Sequence, residues 1–331
     1  MTQIEQIKKR IFLPLTQGEF DDIALTLFRI QYQNVGPYRT YCDLIGKTPE
    51  QVNYVNQIPF LPIEIFKTHK LLHEGIEFEL KFFSSGTTGS TPSIHYIPDL
   101  QFYERCFTQG FTHIYGPFDQ YVILALLPSY LERKGSSLVY MADRLIQKSD
   151  PVNGGFYLDQ LEELRSLMHQ LADAGKRIML LGVSYALIDL AEMGPWNLPA
   201  NTIIMETGGM KGTRTELTKK ALHEILSSRF GLDNIHSEYG MTELMSQAYA
   251  PSKGTFKTPP WMRVVIRDPE DPMSLLSQRS GGINIIDLAN IYSCAFIATQ
   301  DLGTINQDES FSLLGRFDHS DIRGCNLLIE S

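Results

Sequence analysis

Cysteine is scarce in this chain: four in 331 residues, at Cys42, Cys106, Cys294 and Cys325, with no C-x-x-C pair among them. So wide a scatter disfavours both a disulfide framework and a structural zinc site, and leaves each cysteine as a single thiol. Long hydrophobic runs are missing as well. The stretch Tyr121-Val122-Ile123-Leu124-Ala125-Leu126-Leu127 falls far short of the ~20 apolar residues of a membrane helix. It reads as a buried strand, and no membrane span is expected. Positive charge is in deficit, 29 basic against 38 acidic residues for a net charge of −9. Lys8-Lys9-Arg10 is too short to form a basic stripe, so neither nucleic acid nor an anionic membrane is expected as a partner. The amino terminus is charged from Glu5 to Arg10 and carries only the brief apolar run Ile11-Phe12-Leu13. No secretory segment is read there, and a cytoplasmic location is the default expectation.

Internal repeats, low-complexity tracts and Gly/Ser linkers are also lacking, which favours one large mixed domain with a short carboxy-terminal tail. The boundary is placed between a core at 1–315 and a hinge-like tail at 316–331. The first ~70 residues read mainly as helices, with Phe20, Ile23, Ala24, Leu27 and Phe28 on one face, packing as an outer layer. Beyond them, strands at Val122 to Leu127, Arg177 to Val183 and Thr202 to Glu206 alternate with a helix at Leu158 to Ala174. That order is the βαβ signature of an α/β fold. A further helix is expected from Glu216 to Phe230, capped by Thr213 or Thr215 and ended by Gly231. From Arg263 onward short strands at 264–266, 282–288 and 294–299 imply a smaller β-rich portion.

Ser84-Ser85-Gly86-Thr87-Thr88-Gly89 follows the strand-like Phe78 to Phe83. Glycine lets backbone N–H groups turn inward on an anion, and each hydroxyl adds a donor to a phosphate oxygen. The segment has neither the lysine nor the spacing of a Walker A loop, which argues against a P-loop NTPase or kinase. A nucleotide site is the natural reading, with a plain surface turn as its alternative, since the same residues dominate turns.

The later segment Tyr239-Gly240-Met241-Thr242-Glu243, preceded by His236-Ser237-Glu238, changes that balance. Together the two segments resemble the superfamily of acyl- and aryl-CoA ligases, peptide-synthetase adenylation domains and luciferases. That resemblance implies the large amino-terminal domain of the adenylate-forming fold and activation of a carboxylic acid by ATP and Mg2+. It also implies roles for particular residues. Ser84 to Gly89 would hold phosphates, Thr242 the α-phosphate, Glu243 Mg2+, and Tyr239 with Gly240 would flank the adenylate. Thr207-Gly208-Gly209-Met210-Lys211-Gly212 looks like the loop along adenine, which brings in Gly208, Gly209 and Lys211. Asp301 resembles the aspartate that accepts both ribose hydroxyls, and Arg316 the arginine on the ribose and phosphate side. One departure stands out. The phosphate loop continues Ser90-Thr91-Pro92-Ser93-Ile94-His95 where relatives place a lysine, so Lys211, His95 or Mg2+ is left to supply the positive charge.

At the end of the chain, Ile322-Arg323-Gly324-Cys325-Asn326 stands where the ligases pass into a lid domain, and that domain is read as absent. This ending resembles the LuxE-type acyl-protein synthetases, in which a cysteine at the place of Cys325 becomes acylated. The resemblance implies that an acid, most readily a fatty acid, is converted to acyl-AMP, passed to Cys325 as a thioester and delivered to a partner such as a reductase or carrier protein. Two other readings stay open at this point: an acid:CoA or acid:carrier ligase of the phenylacetate type with its lid supplied in trans, and an inactive nucleotide-binding scaffold. Tyr130, Phe156 and Tyr185 are candidate walls of the acid pocket, and His236 and His319 candidate proton carriers.

Overall fold

Val122–Leu126 and Ile203–Thr207 are buried at every position, as strands covered on both faces must be. The computed structural model describes residues 2–85, 91–128, 134–208, 217–277 and 279–317. Within them these two strands belong to a six-stranded sheet running in the order Gly155–Phe156, Val122–Leu126, Ile178–Val183, Ile203–Thr207, His236–Tyr239 and Ala248–Ala250. All neighbours are parallel except the last pair. Strand alternation sends Ile123, Ala125 and Leu127 into one core and Val122, Leu124 and Leu126 into another. The helices Leu161–Asp173, Ser184–Glu192 and Lys219–Phe230 cover the second face with Leu164, Met168, Leu187, Leu190, Leu226 and Phe230. Leu100–Tyr115 and Ser137–Lys148 cover the first with Phe102, Tyr103, Phe107, Phe111, Tyr140 and Leu145.

The β-rich portion is larger than the carboxy-terminal strands alone. Thr255–Phe256, Phe311–Arg316, Phe296–Ile305, Gly281–Asp287, Met262–Arg267 and Leu275–Leu276 pair antiparallel in that order. Leu61–Pro62 joins them parallel to Phe296–Ile305 and completes seven strands. The helical amino-terminal layer is thereby stitched into the sheet. Its long helix Gln17–Asn34 starts with a capping box, Thr16 accepting from the Glu19 N–H and Glu19 from the Thr16 N–H. Phe20, Ala24, Leu27 and Phe28 are buried as the spacing predicts, and Ile23 is half-buried. Gln31, fully buried on the same helix, donates to the carbonyls of Asn290 and Ile291 and accepts from the Ala295 N–H at 2.7, 3.0 and 2.9 Å.

One boundary differs from expectation. The helix read from Glu216 begins at Lys219, because the Thr218 hydroxyl accepts from the Ala221 N–H and caps it there. It ends on Gly231 in the left-handed region, φ 68°. Thr213 and Thr215 lie outside the described residues.

Candidate functional site

Parallel strands present their carboxyl ends along one edge, where open α/β sheets bind ligands. Gly208 follows Ile203–Thr207 at that edge, and Tyr239 to Glu243 continue from His236–Tyr239. The second sheet brings its own residues to the same place. Asp301 and Arg316 are partners in register on adjacent antiparallel strands. The Arg316 Nε lies 3.2 Å from Asp301 Oδ1, and the Tyr239 hydroxyl donates to Asp301 Oδ2 at 2.8 Å. Tyr239 is buried, with its phenol pushed well up by burial and by the Asp301 charge. Tyr239 from one sheet and the Asp301–Arg316 pair from the other thus meet at one carboxylate.

Thr242 and Glu243 are held from behind by backbone and side-chain contacts. His95, on Ile94–Ile97, uses Nδ1 against the Thr242 carbonyl at 2.8 Å, and Asn290 Nδ2 donates to the Glu243 carbonyl at 2.8 Å. Asp287 accepts from the N–H groups of Met245, Ser246 and Ala289 and from the Ser246 hydroxyl, at 2.8 to 3.1 Å. Burial pushes this carboxyl up to about 6, against those four donors. The turn at Gly240 is also closely packed. A Cβ there would sit 2.4 Å from Glu238 Oε1 and 3.2 Å from Gln247 Cγ. Glu238 itself accepts from the Thr207 hydroxyl, and burial raises it to about 7.

The Glu243 carboxyl is 5% exposed and raised by burial, an effect opposed by a hydrogen bond from Ser93 and by the charges of Lys67 and Arg316. Mg2+ is commonly bound through one or two carboxylates with substrate phosphates completing the shell. A single buried carboxylate hydrogen-bonded by Ser93 fits that donor set. Ser84 anchors the loop's entry, its Oγ accepting from the Ser93 N–H at 2.8 Å and its own N–H donating to the Ser93 carbonyl at 3.0 Å. The strands that precede and follow it in the chain, Leu80–Phe83 and Ile94–Ile97, pair antiparallel. Ser85 is exposed beside it.

Gly86, Thr87, Thr88, Gly89, Gly209, Lys211, Tyr130, His319 and Cys325 lie outside the described residues. His95 does not supply the missing cation: burial pushes its imidazole down to about 4, leaving it neutral at pH 7. His236 is likewise pushed down to about 4 by burial and lies 3.2 Å from the Tyr115 hydroxyl. Phe156 and Tyr185 take different places, Phe156 half-buried on the sheet's outer strand and Tyr185 43% exposed at the start of Ser184–Glu192. Asp287, Asn290 and Ser93 escaped sequence reasoning, since each is an ordinary turn or loop residue until the fold places it behind Thr242 to Glu243.

The family model for acyl-protein synthetase, LuxE, matches residues 17–331. The long-chain-fatty-acid–luciferin-component ligase of Vibrio harveyi is 24% identical over 322 residues, covering 91% of this chain and 84% of that protein. Among solved structures, ATP-bound MatB from Rhodopseudomonas palustris superimposes with a TM-score of 0.52 at 19% identity over 71% of this chain. This chain spans 47% of that one, about half its length. A 2-hydroxyisobutyryl-CoA ligase in an open conformation matches with a TM-score of 0.62 and 13% identity over 93% of this chain and 72% of its own. The fold is therefore that of the adenylate-forming enzymes, and with the family model spanning nearly its whole length the chain belongs to the LuxE family of acyl-protein synthetases.

Proposed function

We propose that this protein activates a carboxylic acid, most readily a long-chain fatty acid, as acyl-AMP and transfers the acyl group to its own Cys325. The observation that carries the reading is the meeting of Tyr239, Asp301 and Arg316 beside Thr242 and Glu243 at the carboxyl edge of the parallel sheet. A two-oxygen acceptor such as Asp301 suits a pair of ribose hydroxyls, and Arg316 beside it suits the neighbouring phosphate. In the first step a carboxylate oxygen of the acid attacks the α-phosphorus of ATP, and the bond to pyrophosphate breaks. Mg2+ held by Glu243 would neutralise phosphate charge as pyrophosphate leaves. In the second step the Cys325 thiolate attacks the acyl carbonyl, and AMP departs with the electrons of the acyl–oxygen bond.

The assignment of the thiol draws support from its alternatives. Cys42, Cys106 and Cys294 are fully buried, and burial pushes each thiol up, Cys42 to about 12. Such thiols are inert as nucleophiles, which leaves Cys325 in the tail proposed to span 316–331. The name of the Vibrio harveyi relative points to a long-chain fatty acid and a luciferin-component acceptor; delivery onward to a reductase or carrier protein is part of the same proposal.

Acid-dependent ATP–pyrophosphate exchange tests the first step, and labelled acid tests the second. The expected result is exchange in both wild type and Cys325→Ser, with covalent label only in wild type. Persistent, hydroxylamine-sensitive labelling of Cys325→Ser would move the acceptor elsewhere. No exchange with any acid in a broad panel would favour a nucleotide-binding scaffold.

A further inference from the structure

Thr207 ends the strand Ile203–Thr207 and is the register partner of Glu238 on His236–Tyr239. The first strand runs on into Gly208, in the left-handed region at φ 74°, and the second into Gly240. Glu238 reaches toward both turns. Its Oε2 accepts from the Thr207 hydroxyl, and its Oε1 stands 2.4 Å from where a Cβ on Gly240 would be. Glycine at 240 is what leaves room for that carboxyl, a use of the residue for close approach.

The carboxyl is buried, 7% exposed, and Thr207 gives it its one hydrogen bond among the described residues. Tyr249 is its partner across the antiparallel pair with Ala248–Ala250. The phenols of Tyr249, and of Tyr103 and Tyr115 on the helix Leu100–Tyr115, lie within reach of its charge; burial raises all three, so they are neutral at pH 7. Two charged groups act on it in opposite senses, Glu206 upward and Lys219 downward. Burial is the largest influence and favours the neutral acid.

We propose that Glu238 is a positioning residue for the nucleotide: by clasping Thr207 and lying over Gly240, its side chain fixes the spacing of the two turns that flank the adenylate. The inference rests on the acid-activating reading above, which puts Gly208 along adenine and Gly240 beside the adenylate. The pairing of the two strands ends at Thr207 and Glu238, so a side-chain bridge at that last pair carries their alignment into the turns. Bound nucleotide adds negative charge near the carboxyl and disfavours its ionised form. By reciprocity, ATP binds more tightly when Glu238 is protonated, and the protein takes up a proton as ATP binds.

Steady-state exchange kinetics and calorimetric titration of ATP on either side of neutral pH test it, with Glu238→Gln, Glu238→Leu, Thr207→Val and Thr207→Ser. Gln and Ser keep the clasp, and Leu and Val remove it. One hydrogen bond corresponds to roughly 3- to 10-fold. Glu238→Leu and Thr207→Val are therefore expected to raise the KM for ATP and weaken its binding by about that factor, with the KM for the acid within about twofold. Glu238→Gln and Thr207→Ser should stay near wild type at pH 7. Wild-type ATP affinity should fall as pH rises past about 7, with a binding heat that depends on the buffer's ionisation. Both effects should shrink in Glu238→Gln, which has no proton to exchange. Should Glu238→Leu not fold, the near-isosteric Thr207→Val carries the same comparison. Unchanged ATP affinity in the variants without the clasp overturns the inference, as does an equal rise in the acid KM or an identical pH profile in wild type and Glu238→Gln. If wild type exchanges with no acid, the acid-activating reading falls. ATP titration then decides the clasp separately: weaker binding by Thr207→Val but not by Thr207→Ser retains it, and equal binding removes it.

Discussion

Asp287 illustrates how one side chain can set the shape of a site it does not touch. Its two oxygens serve four donors in and around the turn that follows Glu243. Each buried donor left without a partner costs about 1–3 kcal/mol. Asp287→Ala is therefore expected to destabilise the protein by about 3–5 kcal/mol in urea unfolding, and to lower exchange activity beyond what the loss of folded protein explains. His95 supplies a pH-dependent case. Its folded-state value lies near 4 against the ordinary 6.5, so the folded protein binds that proton less readily than the unfolded chain. The stability contributed by neutral His95 is complete above pH 6.5 and disappears as pH falls through about 4, a change of about 3 kcal/mol. The destabilisation measured for His95→Gln should accordingly be largest at neutral pH and shrink across that window. A destabilisation independent of pH would mean that His95 matters by packing alone.

Among elements, helix Gln17–Asn34 does more than cover the core. Through Gln31 it grips the segment that includes Asn290, and Asn290 in turn holds the Glu243 carbonyl. Gln31→Leu keeps the volume but strands two carbonyls and one N–H, at a cost of about 3 kcal/mol. Chemical denaturation should show that loss, with a lowered exchange rate because the support of Glu243 loosens. At the opposite face Thr218→Ala removes only a helix cap. A loss of about 1 kcal/mol is expected, with covalent labelling at Cys325 unchanged.

For the whole molecule, the distribution of thiols makes a simple prediction. Cys42, Cys106 and Cys294 sit at 0% exposure, so an aromatic disulfide reagent should modify them only on unfolding. Rapid reaction of all four in the native protein would contradict the burial described here. Among the described residues no helix is long and apolar enough to cross a membrane, in keeping with the short apolar runs of the sequence.

Several features were legible without coordinates because they are local. The strand cores at Val122, Ile178 and Ile203 announce themselves by continuous apolar runs, and Gly231 by its place after a periodic segment. The helix Leu100–Tyr115 was open to reading as well, capped by Asp99 and buried at 102, 103, 106, 107, 110 and 111, yet its aromatic-rich composition blurs helix with strand. Asp301, Arg316, Tyr239 and Glu243 could be singled out because each sits in a short distinctive segment. Their assembly around one carboxylate could not be read from the residues alone, since it depends on two sheets docking, which brings Tyr239 to Asp301 from 62 positions away. Composition and motif determined the class of chemistry by themselves, because those signals are carried by neighbouring residues. Tertiary structure alone decided which charges face one another, because burial and distance between remote segments are properties of the packed chain.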